Sequence, residues 1–198
     1  MSNRKKTMLM MFVDYLICLL LELFGLIVFA WMLNFSWGYP AYSVLFTLVL
    51  FGMLYSRAHN AAERNRKRKE LKPVTEGLLL AVPLTVFNLL VILIFTLMQY
   101  NIIPVRDVLM NTLYSFPDDA PRVVTKLYLI DYITPIVRVW FGHLVGFMQE
   151  GTSPLLLLIS PLITLAASFA GYFAGMKQFY ISDVIFKTKE KVKEKFNE

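Results

Sequence analysis

Charged side chains, cysteine and histidine are all scarce in this sequence. Of its 198 residues only 17% are charged, and the chain has one cysteine and two histidines. A single cysteine excludes an intramolecular disulfide, and a histidine-based metal site would need ligands from other side chains. Gly-rich phosphate loops and internal repeats are also missing, so the sequence predicts neither a P-loop nucleotide site nor an inverted-repeat transporter.

Apolar residues are abundant. They make up 57% of the chain, and the mean hydropathy of +0.57 lies above the range of a soluble domain. A helix needs about 20 apolar residues to cross a bilayer. Four such spans are predicted, at about 8–33, 39–56, 77–100 and 154–176. The first run is too long for the apolar region of a signal peptide and lacks a cleavage site, so we expect it to remain as a helix.

Lysine and arginine are distributed unevenly along the chain. Three lie at residues 4–6, seven at 57–72 and six from Lys177 onwards, against four between residues 101 and 153. The positive-inside rule therefore predicts cytoplasmic termini and a cytoplasmic loop at 57–73, with 101–153 outside. All three tryptophans fall at or beyond the predicted outer ends of the spans, which is typical of an aromatic belt.

The predicted fold class is an all-α integral membrane protein. It consists of a single domain, a four-transmembrane-helix bundle with both termini inside and an outer interfacial or re-entrant helix. We expect a multi-pass protein of a cell membrane. The residue usage favours a bacterial cytoplasmic membrane.

The outer helix is assigned to residues 127–148. This run is long enough to span, but it contains Asp131, Pro135, Arg138 and His143, and a fifth span would move the lysine-rich tail outside. We therefore expect an interfacial or re-entrant helix kinked near Pro135. Asp131, Arg138 and His143 form a candidate outer polar arc, and the preceding part of the outer segment is expected to be a loop with one short helix.

Two carboxylates lie inside the first span and share one of its faces. Asp14 is near the start of the span, where it can reach headgroups or pair with a base from the N-terminus or from residues 57–72. Glu22 lies deeper and needs a partner. The candidates are Asn88, at a similar depth in the third span, and the hydroxyls of the fourth span. These groups form either an interhelical polar contact or an ion path.

Small residues recur every three or four positions along the fourth span, and the last two form a GxxxG motif. They are Ser160, Thr164, Ser168, Gly171 and Gly175. Such stripes let helix backbones approach closely in lipid. This one is predicted to be the packing seam of the bundle, with a contact between copies as the alternative.

The basic connection after the second span is densest over five residues, Arg64, Arg66, Lys67, Arg68 and Lys69. We expect it to hold the topology and to attract anionic lipid of the inner leaflet, with protein docking as the alternative. Nucleic acid is not an expected partner, because no aromatic interleaving or binding fold accompanies the basic run. The tail, residues 183–198, is predicted to be an amphipathic helix on the inner leaflet or on a partner.

Signals for catalysis are weak. His143 could act as a base with Asp131 or Glu150, but no nucleophile stands at a recognisable spacing, and no cofactor or metal is predicted. The expected function is that of a non-catalytic accessory or scaffold subunit of a membrane assembly, with a protein partner or as a homo-oligomer. The alternative is a small oligomeric proton- or cation-coupled transporter or channel using Glu22 and Asp14. A membrane-embedded enzyme at the outer interface comes third.

Overall fold

The chain divides into two compact units. The computed structural model describes residues 3–70, 72–115, 123–148 and 153–179. One unit, called here the basic unit, comprises Met1–Tyr15, Phe51–Leu84 and Ile163–Glu198. The other, the cavity unit, comprises Leu16–Leu50 and Thr85–Leu162. The predicted helix at 183–198 lies outside the described residues.

The described residues form six α-helices, a β-hairpin and two short 3-10 helices. The α-helices are α1 (Asn3–Val28), α2 (Ala30–Leu33), α3 (Gly38–Lys67), α4 (Glu76–Gln99), α5 (Leu129–Trp140) and α6 (Ile159–Met176). The strands are β1 (Leu109–Ser115) and β2 (Val123–Tyr128), and the 3-10 helices cover Gly142–Phe147 and Pro154–Leu158.

Among the described residues, four helices are long and apolar enough to cross a membrane. They are Asn3–Val28, Gly38–Lys67, Glu76–Gln99 and the continuous run Pro154–Met176. Leu20, Leu48 and Leu162 on these helices are each 64% exposed. Exposed leucines along long helices are expected where the surrounding solvent is lipid. The prediction of four helices with this length and apolarity is confirmed, and the orientation of the chain stays a prediction.

The first span ends earlier than the apolar pattern indicated. Instead of one helix over 8–33, α1 ends at Val28 and α2 follows after a break at Phe29. A Cβ added at Gly38 would collide with the carbonyl of Met32, so only glycine permits this close turn. Pro40 lies in the first turn of α3, where its missing N–H has no intrahelical partner to lose.

The basic connection is mostly helical, which corrects the predicted loop at 57–73. Helix α3 ends at Lys67 rather than at residue 56. The added turns are rich in Ala, Arg, Glu and Lys, which are strong helix formers, and cationic side chains in a last turn complement the helix dipole. Lys69 has a φ of 57°, the left-handed conformation that commonly follows a helix end.

A β-hairpin replaces the short helix predicted in the outer segment. Strands β1 and β2 pair antiparallel, with Thr112 opposite Lys126 and an irregularity between Leu109 and Asn111. The run of Val and Thr in β2 suits an extended strand better than a helix. The all-α prediction therefore holds for the four long helices and fails at this hairpin.

Residues 127–148 do not form one helix. Strand β2 includes Tyr128, whose backbone N–H donates to Oδ2 of Asp131 at 2.8 Å and so caps the start of α5. Helix α5 passes through Pro135 and ends at Trp140, and the 3-10 helix begins at Gly142. The helix is thus interrupted at Phe141, and the kink expected near Pro135 stays a prediction.

Candidate functional site

A buried polar cluster lies in the cavity unit, where three elements each contribute one side chain. His143, on the 3-10 helix Gly142–Phe147, has Nε2 2.9 Å from Oγ of Ser160 at the start of α6. Its Nδ1 lies 3.6 Å from Oε1 of Glu22 on α1. The side chains of His143 and Glu22 are 1% and 5% exposed, and Ser160 has no exposed surface. We call Glu22, His143 and Ser160 the polar cluster.

The carboxylate of Glu22 is surrounded by further groups of its own unit. The thiol of Cys18, one helical turn away, donates to Oε1 at 3.4 Å. The hydroxyl of Tyr42 on α3 donates to the backbone carbonyl of Glu22. A Cβ at Gly142 would collide with the carboxylate, so the glycine lets Glu22 lie directly against the backbone. The buried carboxylate of Glu22 thus has a hydrogen-bond donor in Cys18 and space against the backbone at Gly142.

Two hydroxyls of α3 bond the backbone of the 3-10 helix. Thr47 Oγ1 donates to the carbonyl of His143 at 3.0 Å, and the N–H of Gly146 donates to Oγ of Ser43 at 2.6 Å. Ser43 and Thr47 are four residues apart and therefore share one face of α3. Backbone that is not α-helical at membrane depth is tolerated only where protein groups satisfy it. These bonds explain why the α-helix can end at Trp140.

Asn88 does not meet Glu22 as predicted. It is fully buried, and its Oδ1 accepts a hydrogen bond of 3.0 Å from Nε1 of Trp140 on α5. Among the described residues its Nδ2 has no hydrogen-bond partner. The partner of Glu22 is instead His143, because the 3-10 helix, and not α4, lies against the carboxylate.

The predicted outer polar arc is divided. Asp131 is exposed and caps α5, His143 is buried in the polar cluster, and Arg138 is half-buried. Arg138 lines two cavities of this unit, one of about 540 Å³ and one of about 60 Å³ that also contacts Glu22. A single face cannot hold all three residues, because the α-helix ends before His143 is reached.

In the basic unit two carboxylates of the described residues lie in ion pairs with arginines. Nε and Nη2 of Arg57 each donate to a carboxylate oxygen of Asp14 at 2.7 Å. Arg57 is one of the arginines of residues 57–72 that the sequence offered as partners. Arg4 Nε lies 3.4 Å from Oε1 of Glu76. Bidentate arginine–carboxylate pairs are among the strongest hydrogen-bonded arrangements in proteins.

The small-residue stripe of α6 contacts other helices of the same chain. In the basic unit Ser168 donates to the carbonyl of Gly77 at 2.6 Å. A Cβ at Gly171 or Gly175 would collide with the carbonyl of Tyr55 or of His59, respectively. Thr164, also in this unit, and Ser160 in the cavity unit have no exposed surface. Ser168, Gly171 and Gly175 thus pack against α3 and α4 of the same chain, whereas Ser160 contacts His143 of the 3-10 helix.

The densest basic residues surround the end of α3. Arg66 is half-buried, and Arg64, Lys67, Arg68 and Lys69 are exposed. Lys67 pairs with Glu63 one turn earlier at 2.8 Å. Their exposure leaves these cations accessible to lipid headgroups or to a partner.

Metal binding finds no support in the described part of the chain, where no three His, Cys, Asp or Glu side chains converge. The two histidines lie in different units, His59 in the basic unit and His143 in the cavity unit.

Sequence reasoning missed Ser160 as a partner of His143. The two residues are 17 positions apart, and the stripe pattern assigned Ser160 to packing. Tyr42, Ser43 and Thr47 were missed because isolated hydroxyls in an apolar helix carry no spacing signal. The one local signal was glycine, because Gly142 and Gly146 bracket His143 and interrupt an otherwise helical pattern.

Comparison of the chain with protein-family models, with curated proteins and with solved structures returned no match. Its function is therefore argued from its own geometry.

Proposed function

We propose that the chain is a non-catalytic accessory or scaffold component of a membrane assembly. The observation that carries the proposal is the closure of the polar cluster. Glu22, His143 and Ser160 face one another, and at most 5% of any of these side chains is exposed. A group that exchanges an ion or attacks a substrate has to be reached from outside, whereas a group that holds a segment in place does not.

The cluster is well suited to positioning. Through His143 it ties the 3-10 helix to α1 and α6, while Ser43 and Thr47 tie the same helix to α3. Fully satisfied buried polar networks rigidify a structure and favour one arrangement over alternatives. The bonds to the 3-10 helix thereby fix the end of α5, whose exposed side chains another subunit could recognise.

The exposed cations of the basic unit support the second part of the proposal. We assign the turn at Arg68 and Lys69 to the cytoplasmic side of a cell membrane, with both termini inside, because most lysines and arginines fall on that side of the predicted topology. There the cations would contact anionic lipid of the inner leaflet or a cytosolic partner, each contributing about 1 kcal/mol near the surface.

The test is a gentle-detergent pull-down of the tagged protein from its native membrane, followed by mass spectrometry. We expect a stoichiometric partner that is retained by Glu22→Gln, because the amide still offers hydrogen bonds to the cluster. Truncation after Ser182 should release a cytosolic partner if the tail contributes to docking. Recovery of the chain alone or as a homo-oligomer would contradict the proposal.

Proton- or cation-coupled transport is the second candidate. It is favoured by the 3.6 Å approach of His143 to Glu22, since carboxylate–histidine chains serve as proton relays in membranes. In proteoliposomes carrying a pH-sensitive dye, a transporter would dissipate an imposed proton gradient, and Glu22→Gln would abolish that flux without unfolding the protein. Flux that depends on Glu22 would replace the accessory proposal with this one.

Catalysis at the cluster can be tested separately. Ser160, His143 and Glu22 follow the order of groups in a serine acyl-transfer site, with the hydroxyl at Nε2 and the acid at Nδ1. The absence of exposed surface at Ser160 argues against this use. A fluorophosphonate probe should therefore leave the folded protein unlabelled, and covalent labelling that is lost in Ser160→Ala would overturn the non-catalytic assignment.

A further inference from the structure

One cavity of the cavity unit has a volume of about 540 Å³ and carries two arginines. This volume falls in the range of ligand pockets, about 300–1,000 Å³. Arg138 on α5 contributes one guanidinium, and Arg106, from the connection after α4, contributes the other. The cavity lining does not include Glu22, His143 or Ser160, and none of the three functions discussed above makes use of it.

The charged side chains in the described lining of the cavity are all cationic. Arg106 and Arg138 are the charged residues of its described lining, in which there is no carboxylate. Nη2 of Arg106 donates to Oε1 of Gln99 at 2.9 Å, which orients that guanidinium and leaves its other donors available. Within the described residues Arg138 has neither an ion pair nor a hydrogen bond from its side chain. A half-buried guanidinium without a counter-charge favours an anion brought from outside.

The remainder of the lining is largely apolar. Phe95 on α4 and Leu156 and Leu157 on the 3-10 helix before α6 form part of its wall. Leu157 is fully buried and Phe95 is 5% exposed, so this wall belongs to the core of the unit. The hydroxyl of Ser153 accepts a hydrogen bond from the N–H of Leu155 and keeps its own proton for a ligand. Cationic donors and an apolar wall in one cavity match an amphiphile.

We propose that this cavity binds the anionic headgroup and adjoining acyl chains of an acidic phospholipid, with Arg106 and Arg138 as the phosphate contacts. A planar guanidinium presents paired donors that fit phosphate oxygens, and basic pockets between transmembrane helices bind anionic lipid headgroups. A lipid is favoured over a soluble phosphate because the wall of Phe95, Leu156 and Leu157 needs an apolar ligand to cover it.

The experiment uses the full-length protein purified in an uncharged maltoside detergent. Dioctanoyl phosphatidylglycerol is titrated, with binding measured by microscale thermophoresis and stoichiometry by native mass spectrometry. Dioctanoyl phosphatidylcholine and inorganic phosphate are titrated in parallel. We expect one tightly bound phosphatidylglycerol per chain, weaker binding of the zwitterionic lipid, and no saturable binding of inorganic phosphate at matched concentrations.

Variants identify the site. Arg138→Gln and Arg106→Gln should each weaken phosphatidylglycerol binding by about tenfold or more, the magnitude of a charge-assisted hydrogen bond. Arg138→Lys should weaken it less, since the charge remains. Arg68→Gln is the matched control, because it removes one exposed cation away from the cavity lining and should leave binding unchanged.

A second type of variant tests the site even if substitution of Arg138 prevents the protein from folding. Leu156→Trp fills the apolar side while keeping both arginines, and it should abolish lipid binding in protein that retains the elution volume and helicity of the wild type. Unchanged binding in both arginine variants would overturn the site. Equal binding of phosphatidylcholine would overturn the anionic headgroup, and equal binding of inorganic phosphate would overturn the lipid.

Discussion

The two units place buried polar groups on the same long helices but satisfy them in different ways. In the basic unit Asp14 is matched by the full charge of Arg57, whose side chain is 31% exposed. In the cavity unit Glu22 is matched by His143, which has almost no exposed surface, within a cluster of hydrogen-bonding groups. An arginine can keep part of its guanidinium solvated while it pairs with a carboxylate. An ion pair between two charged groups therefore suits a partly exposed site, whereas a hydrogen-bonded cluster suits a fully buried one.

The largest expected effect comes from breaking the ion pair. Arg57→Ala leaves Asp14 buried without its partner, which costs about 3–5 kcal/mol in enclosed sites. We expect the lower end of that range, because Arg57 is partly exposed. The free energy of unfolding, measured by SDS titration in mixed micelles, checks this. The double variant Asp14→Ala with Arg57→Ala should lose less than the single variant, and an equal or larger loss would contradict the pairing.

The next largest difference in stability between the two units is expected for substitution of a tightly packed glycine in each. Gly171→Ala in the basic unit drives a methyl group into the backbone carbonyl of Tyr55, which cannot move alone, so we expect a loss of about 2–3 kcal/mol. Gly142→Ala in the cavity unit meets the end of the Glu22 side chain, which can rotate away, so the loss should be about 1 kcal/mol. SDS titration of the two variants side by side measures the difference. Equal losses would show that the carboxylate of Glu22 is as immobile as backbone.

The Trp140–Asn88 bond predicts a smaller effect. Trp140→Phe removes the indole N–H and leaves the buried Oδ1 of Asn88 without its donor, for a loss of about 1–2 kcal/mol including lost packing on Phe87. Trp140→Phe combined with Asn88→Leu should recover part of this loss, because no polar group is then stranded. Failure of the double variant to recover stability would argue against the hydrogen bond as the cause.

The smallest effect is expected for Glu22→Gln. The amide keeps the shape of the side chain and can both donate and accept, so the loss should stay below about 1 kcal/mol if the cluster only positions the 3-10 helix. Glu22→Ala removes the carboxylate that lies 3.6 Å from Nδ1 of His143 and that accepts from the Cys18 thiol, and it should cost about 2 kcal/mol or more. Unfolding measurements on both variants distinguish shape from charge. A loss for Gln as large as that for Ala would indicate that the negative charge itself is required.

The sequence predicted the features that depend on local apolarity. The four long helices follow from the apolar runs, and the need of Glu22 for a partner follows from its depth in the first run. For Asp14 the sequence left open whether it reaches headgroups or pairs with a base. It could not predict that α3 would continue to Lys67, because the charge density that marks a membrane boundary does not by itself end a helix. The hairpin was missed because β2 has only six residues, and a preference for strand over so short a run cannot be distinguished from a loop.

Hydropathy and charge along the chain by themselves determined how many helices can cross a membrane and which of their side chains need partners, because the free energy of placing a residue in lipid depends on that residue and its near neighbours. Only the tertiary structure decided which partners they find. The meeting of Glu22 with His143 and Ser160, and of Asp14 with Arg57, joins residues distant in the sequence. Such pairings depend on distances across helices that no local pattern encodes.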